Sequence, residues 1–185
     1  MKIGIDLDNT IISYDDAFLY VAKQLGVINR NFRGNKNEIK QLIREQDQGE
    51  IIWQKLQGQV YGKFIYKAKI FVGFKRFLWR CCHQKIPVTV ISHKTEYGHH
   101  DEEKISLRES ALSFLEDKNI FFNKIFFTRT REEKIEKIKM NNFDWFIDDL
   151  PEVITHKKIK DYPNRILFSQ NPMKENEDII SCSSW

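Results

Sequence analysis

Five short β-prone runs recur along the chain, at residues 2–6, 88–92, 124–127, 143–147 and 165–168, and segments with helical patterning separate most of them. This alternation narrows the fold more than any other feature. Strands joined through helices run parallel, and a parallel sheet is covered by those helices on both faces. In such sheets ligands gather beyond the carboxyl ends of the strands. Three of the runs end in polar residues: Asp6, then Ser92, then Asp148 with Asp149. All of them collect along one edge.

The intervening segments divide the chain. A helix is expected over 15–25, entered at Ser13 with Asp15 and Asp16 near its positive end and stopped by Gly26. Another is expected over 35–47, with Ile39, Leu42 and Ile43 on one face. Residues 50–67 continue in mostly helical style, interrupted by Gly58 and Gly62. No proline and no strand pattern occurs between Ser13 and Gly73, so residues 14–70 read as a compact helical insertion. Residues 1–13 and 71–185 then form the core domain.

Within that core, helices are expected over 73–84, 103–117 and 130–140. The last opens on a capping box, Thr130-Arg131-Glu132-Glu133. Pro151 suits the first turn of a short helix. Residues after Ser169 are polar and read as an irregular tail.

Composition excludes several classes of function. The apolar share of 41% supports a core, and 14 phenylalanines make it aromatic-rich. Lys and Arg exceed Asp and Glu by 30 − 26 = 4, a mild excess that suits a small anionic ligand and falls short of nucleic-acid binding. No apolar run reaches the length of a membrane span, and Asp6 interrupts the apolar amino-terminal run too early for a secretory signal. The cytoplasm is the expected location.

Cys81, Cys82 and Cys182 make no C-x-x-C spacing, so neither a zinc ribbon nor a disulfide framework is expected. The adjacent pair reads as small buried hydrophobes. His99 and His100 read as a surface loop rather than a metal site. Trp53, Tyr61, Phe64 and Tyr66 are expected to pack within the insertion, and Trp79 and Trp145 in or near the core.

The polar edge carries the parts that phosphoryl transfer requires. Asp6 ends the first strand, where its carboxylate can meet phosphorus in line. Asp8, two residues on, can protonate the leaving oxygen and then activate water. Asp148 and Asp149 can complete an oxygen-ligand Mg²⁺ site with Asp6. Ser92 offers a hydroxyl, and the amides after it can hold phosphate oxygens. Among Lys134, Lys137 and Lys139, Lys134 is best placed to neutralise charge, with Lys137 as second choice. Lys94 is expected to face the substrate, with Asn9, Thr10 and His93 also on the substrate side.

In this setting Asp6-Leu7-Asp8-Asn9-Thr10 resembles the first motif of the haloacid dehalogenase-like (HAD) phosphohydrolases. Val88–Ser92 resembles their second motif, Lys134 their third, and Phe146-Ile147-Asp148-Asp149 their fourth, in the family's order over about residues 1–155. Asn9 stands where the family often has glycine, and Glu152 is a weak outer candidate. The resemblance implies a Rossmann-like, three-layer α/β/α core and a helical cap between motifs one and two. It also implies that the Asp8 carbonyl is a further metal ligand.

The expected activity is therefore Mg²⁺-dependent hydrolysis of a small phosphorylated metabolite through an aspartyl-phosphate. A phosphotransferase or mutase is the nearest alternative. A phospho-accepting receiver-type domain is disfavoured because such domains carry their acidic pair first and the acceptor later.

Overall fold

The computed structural model describes residues 1–162, 164–169 and 179–185. Among these the helices are α1 (Asp15–Gln24), α2 (Lys36–Arg44), α3 (Gly49–Tyr61), α4 (Phe74–His83), α5 (Leu107–Asp117), α6 (Arg131–Asn141) and α7 (Pro151–Ile154). Six strands build the main sheet: β1 (Ile3–Ile5), β2 (Val88–His93), β3 (Lys124–Thr128), β4 (Trp145–Asp148), β5 (Arg165–Phe168) and β6 (Ile179–Cys182). Their order is β3-β2-β1-β4-β5-β6 and every pairing is parallel. This is the doubly wound order, which reverses between β1 and β4. The α/β, Rossmann-like expectation holds.

The chain divides into two compact units. One holds Met1–Ile12, Ile70–Lys94 and Ile120–Trp185; the other holds Ser13–Lys69 and Thr95–Asn119. The helical unit is thus wider than the 14–70 insertion, because α5 and the segment before it belong to it.

In the sheet unit, side-chain alternation assigns the two faces. Leu167 joins Ile91, Phe146 and Ile179 in one cluster with Ile135 and Ile138 of α6 and Val153 and Ile154 of α7. Phe168, the next residue, points the other way. Its ring stacks on Trp185 at 5.1 Å, and Trp185 meets Phe74 of α4 at 5.1 Å. So α6 and α7 cover one face and α4 the other.

Gly4 fixes how closely β1 and β4 approach the first of these layers. A Cβ there would lie 2.5 Å from Phe143 Cδ2 and 2.7 Å from Phe146 Cδ2. Gly4 therefore shares a face with Phe146, its partner in the ladder. Two residues on, Asp6 and Asp148 leave their strands on that same face and at the same level.

In the helical unit, α1 packs on α3 through Phe18 stacked on Trp53 at 5.0 Å and Tyr14 edge-on to Tyr61 at 4.7 Å. Asn35 closes a full capping box with Glu38 at the start of α2.

Several expectations are corrected. The segment after Ser169 is not wholly irregular: Ile179–Cys182 adds a sixth strand beside β5, while residues 170–178 lie outside the described residues. Alternating Ile179 (buried) and Ile180 (exposed) are the strand signal that polar neighbours obscured. Trp79 is 65% exposed rather than in the core. The inward stripe of α4 runs through Phe74 and Cys81, which leaves Trp79 outside, stacked on His83 one turn later. Cys82 is exposed for the same reason, although Cys81 is buried as expected.

Tyr66 is exposed, whereas Trp53 is buried. Ser13 does not cap α1; Tyr14 is its first flanking residue and makes no side-chain cap. The helix expected from 103 starts at Leu107, because Ser106 supplies the cap through Glu109 N. His99 and His100 are exposed and belong to no metal-compatible cluster among the described residues. No helix of the described residues is long and apolar enough to cross a membrane.

Candidate active site

The reversal of strand order between β1 and β4 is where a doubly wound sheet opens a crevice, and four side chains meet there. Lys134, in the first turns of α6, reaches across to both strands. Its Nζ donates to Asp6 Oδ1 at 2.5 Å and lies 2.7 Å from Asp148 Oδ2. Asp149 is the fourth member. Oxygen atoms of Asp6, Asp148 and Asp149 all lie within 4.8 Å of one another.

The cap of α6 aims that lysine. Thr130 Oγ1 accepts from Glu133 N at 3.1 Å, so the helix begins one turn before Lys134. The reciprocal half of the box is shifted by one residue, since Glu133 Oε2 accepts from Arg129 N. Lys137 lies over the Phe126 ring at 4.8 Å and Lys139 is exposed in the last turn. Of the three lysines, Lys134 meets the carboxylates.

The site is short of positive charge. Burial and the carboxylates of Asp148, Asp149 and Asp8 push the Asp6 carboxyl well above its usual range, against the pull of Lys134. Burial disfavours the Lys134 ammonium, yet Asp148 and Asp6 more than offset this and hold it charged beyond the ordinary lysine range. One ammonium thus faces three carboxylates. A further cation would relieve them, and an all-oxygen donor set of this kind fits Mg²⁺.

The turn after β1 carries the rest of the first motif. Asn9 N donates to Ile12 O, and Ile11 N and Ile12 N both donate to Leu7 O. Asn9 adopts φ 57°, a left-handed conformation that Asn tolerates better than most side chains. An asparagine therefore suits the backbone at this point of the turn. Its Nδ2 donates to Asp149 Oδ2 at 3.3 Å.

Asp148 Oδ1 accepts from Leu150 N at 3.0 Å, a local turn that sets up the Pro151 helix start while the other oxygen faces Lys134. Leu150 is the residue that flanks the helix, and no side chain caps it.

Ser92 and Thr10 are both buried, and their hydroxyl oxygens have no hydrogen-bond partner among the described residues. A buried unsatisfied polar group costs about 1–3 kcal/mol, so each hydroxyl carries a penalty that a hydrogen-bonding partner would relieve.

Lys94 stands differently from a loop residue open to a ligand. It is 4% exposed and its Nζ lies 2.8 Å from Asp8 Oδ2. Strand β2 runs to His93, one residue further than expected, so the Lys94 amide is engaged by Thr128 O at 3.2 Å. His93 is exposed and its Nε2 lies 3.0 Å from Arg129 O. Glu152 pairs with Arg131 on the surface.

Sequence reasoning missed the Lys94–Asp8 pair. Both residues lie just beyond neighbouring parallel strands, Asp8 in the turn after β1 and Lys94 directly after β2. It also missed Trp185, whose indole Nε1–H donates to Thr10 O at 3.0 Å.

No family model matches the sequence, and no curated protein matches it. The architecture does have counterparts among solved structures. A HAD-superfamily hydrolase from Ehrlichia chaffeensis is 18% identical, with a TM-score of 0.55 over 99% of this chain and 91% of that one. A haloacid dehalogenase-like hydrolase from Streptococcus pneumoniae is 15% identical, with a TM-score of 0.59 over 97% and 92%. A HAD-superfamily hydrolase of subfamily IA from Geobacter sulfurreducens is 12% identical, with a TM-score of 0.59 over 93% and 89%. The parallel order β3-β2-β1-β4-β5-β6 and likeness across nearly the full length of these structures give one conclusion: the chain has the fold of the HAD-superfamily hydrolases.

Proposed function

We propose that this protein is a Mg²⁺-dependent phosphatase that hydrolyses a small phosphorylated metabolite through a phosphoryl group carried on Asp6. The observation that carries the reading is the buried meeting of Asp6, Asp148 and Asp149 with Lys134 at the sheet's switch point.

Asp6 is the nucleophile, its carboxylate oxygen forming the bond to phosphorus as the ester oxygen departs. Asp8 delivers a proton to that departing oxygen and later takes one from the water that opens the acyl phosphate. Lys134 and the Ser92 hydroxyl hold phosphoryl oxygens, where positive charge and a donor count most in a water-poor site. Thr10, Asn9 and His93 belong to the substrate side. Lys94, paired with Asp8, holds the carboxylate that must exchange the proton.

Asp6, Asp148, Asp149 and the Asp8 carbonyl would hold Mg²⁺, which when bound neutralises phosphoryl charge. The helical insertion at 14–70, read as a cap, is where preference among substrates would be written. The cytoplasm is the proposed setting.

The test is phosphate release from a panel of phosphorylated metabolites, with Mg²⁺ and with EDTA. Mg²⁺-dependent release by the wild type and its loss in Asp6→Asn are expected. Flat, EDTA-insensitive release across the panel would overturn the reading. Transfer to an acceptor without free phosphate would assign the same site to a mutase.

A further inference from the structure

The turn that carries Asp8 is tied to a part of the chain far from it in sequence. Trp185 Nε1–H donates to Thr10 O at 3.0 Å, across a separation of 175 residues. Thr10 lies inside the tight turn closed by Asn9 N to Ile12 O and by Ile11 N and Ile12 N to Leu7 O. Its carbonyl takes part in none of those bonds and accepts from the indole, which adds to the ties the turn already has through Phe71 N to Ile11 O at 3.0 Å and Asn9 Nδ2 to Asp149.

The indole is itself held on several sides. It stacks on Phe168 at 5.1 Å and 25°, meets Phe77 at 4.7 Å, and stands edge-on to Phe74 at 5.1 Å. Gly73, at φ 91°, admits the Trp185 backbone so closely that a Cβ would come within 2.6 Å of its carbonyl oxygen. The path to this seat is guided by β6, whose Cys182 O accepts from Ser169 N at 2.8 Å. An indole placed this firmly presents its N–H in one direction.

Packing alone would need only the ring. The hydrogen bond to the turn adds a second role, and it falls on the Thr10–Ile11 peptide, two residues past Asp8. We infer that Trp185 is a positioning residue for the Asp8-bearing turn, acting through its indole N–H on the Thr10 carbonyl. The inference rests on the phosphatase reading for its kinetic consequence, but not for its structural one.

Trp185→Phe keeps an aromatic ring in the cluster and removes the donor. Hydrogen exchange reads the structural arm without any substrate. The Asn9, Ile11 and Ile12 amides are expected to exchange about tenfold faster in W185F, while the Ile5 and Val90 amides in the sheet keep wild-type protection. Unchanged exchange at the turn, or equal acceleration throughout the sheet, would reduce Trp185 to a packing residue and overturn the inference.

The kinetic arm applies if the wild type releases phosphate. There kcat is expected to fall about tenfold or more, with KM within about twofold, because a misplaced proton donor affects the reacting state more than binding. A looser turn with wild-type kcat would overturn the catalytic part. A wild type that releases no phosphate would sink the function proposed above and leave hydrogen exchange to decide on Trp185 alone.

Discussion

Lys134 and Asp6 lie 128 residues apart in sequence and 2.5 Å apart in space, with side chains 2% and 5% exposed. The pair forms because α6 starts one turn before Lys134 and β1 ends at the level of Asp6. Replacing Lys134 by Met would leave Asp6 and Asp148 buried without their shared counter-ion. Breaking a buried pair from one side costs about 3–5 kcal/mol. K134M should lose that much unfolding free energy near neutral pH, and phosphate release should drop by at least about 10²-fold. Urea denaturation checks the first part. A loss below about 1 kcal/mol, the size of an ordinary substitution, would show that the pair has little structural weight.

Asp6 also ties stability to pH. Its folded carboxyl is held above the value of 3.8 that the unfolded chain would show. The folded state therefore keeps its proton longer, and its stability falls as pH rises from about 4 through the raised pKa. Lys134 acts at the alkaline end. Its contribution is complete below its ordinary value of 10.5 and is lost only as pH climbs through the raised folded value. In EDTA, melting temperatures measured across the acidic-to-neutral range should decline with pH for the wild type and less steeply for Asp6→Asn. With Mg²⁺ at about 100 times its dissociation constant the wild type should gain about 2.7 kcal/mol, a gain that Asp148→Asn should lose. Equal slopes for wild type and D6N would remove Asp6 as the cause.

Asn9 offers a test of the first-motif turn itself. At φ 57° an ordinary side chain pays about 1–2 kcal/mol. Asn9→Ala should therefore be less stable than Asn9→Gly by about 1 kcal/mol, reversing the usual advantage of alanine. Both variants lose the Nδ2 contact to Asp149. Thermal unfolding of the two variants side by side decides the matter; an alanine variant that matches glycine would mean that the turn is not left-handed at this residue.

Much of the fold could be read from local pattern. The run Val88-Thr89-Val90-Ile91 declares a strand through β-branching alone, and Thr130 with Glu133 declares where α6 begins. The carboxylates were legible because they stand at the ends of two neighbouring strands, Asp6 after β1 and Asp148 with Asp149 at the end of β4, in a parallel sheet where topology does the gathering. The choice of Lys134 over Lys137 rested on a cap, and the cap is there.

What stayed hidden depends on distant partners. Nothing near Trp79 in sequence says that Phe74 and Cys81 take the inward stripe and leave it outside. Nothing near Lys94 in sequence says that Asp8 neutralises it, since the two come together only where the segments that follow β1 and β2 meet. Trp185 meets Thr10 across 175 residues, a contact that no local pattern announces. A four-residue strand such as Ile179–Cys182, set among polar neighbours, is too short to stand out before the ladder that completes it.

The sixth strand has a consequence beyond the site. Without Ile179–Cys182, strand β5 would form the border of the sheet, and its run Arg165-Ile166-Leu167-Phe168 would offer a row of unpaired amides and carbonyls flanked by large apolar side chains. Such a border is a template for another chain to add to. The added strand takes that position instead, so the β5 backbone is paired on both sides and the border of the sheet among the described residues passes to a segment that carries Ser181 and Cys182.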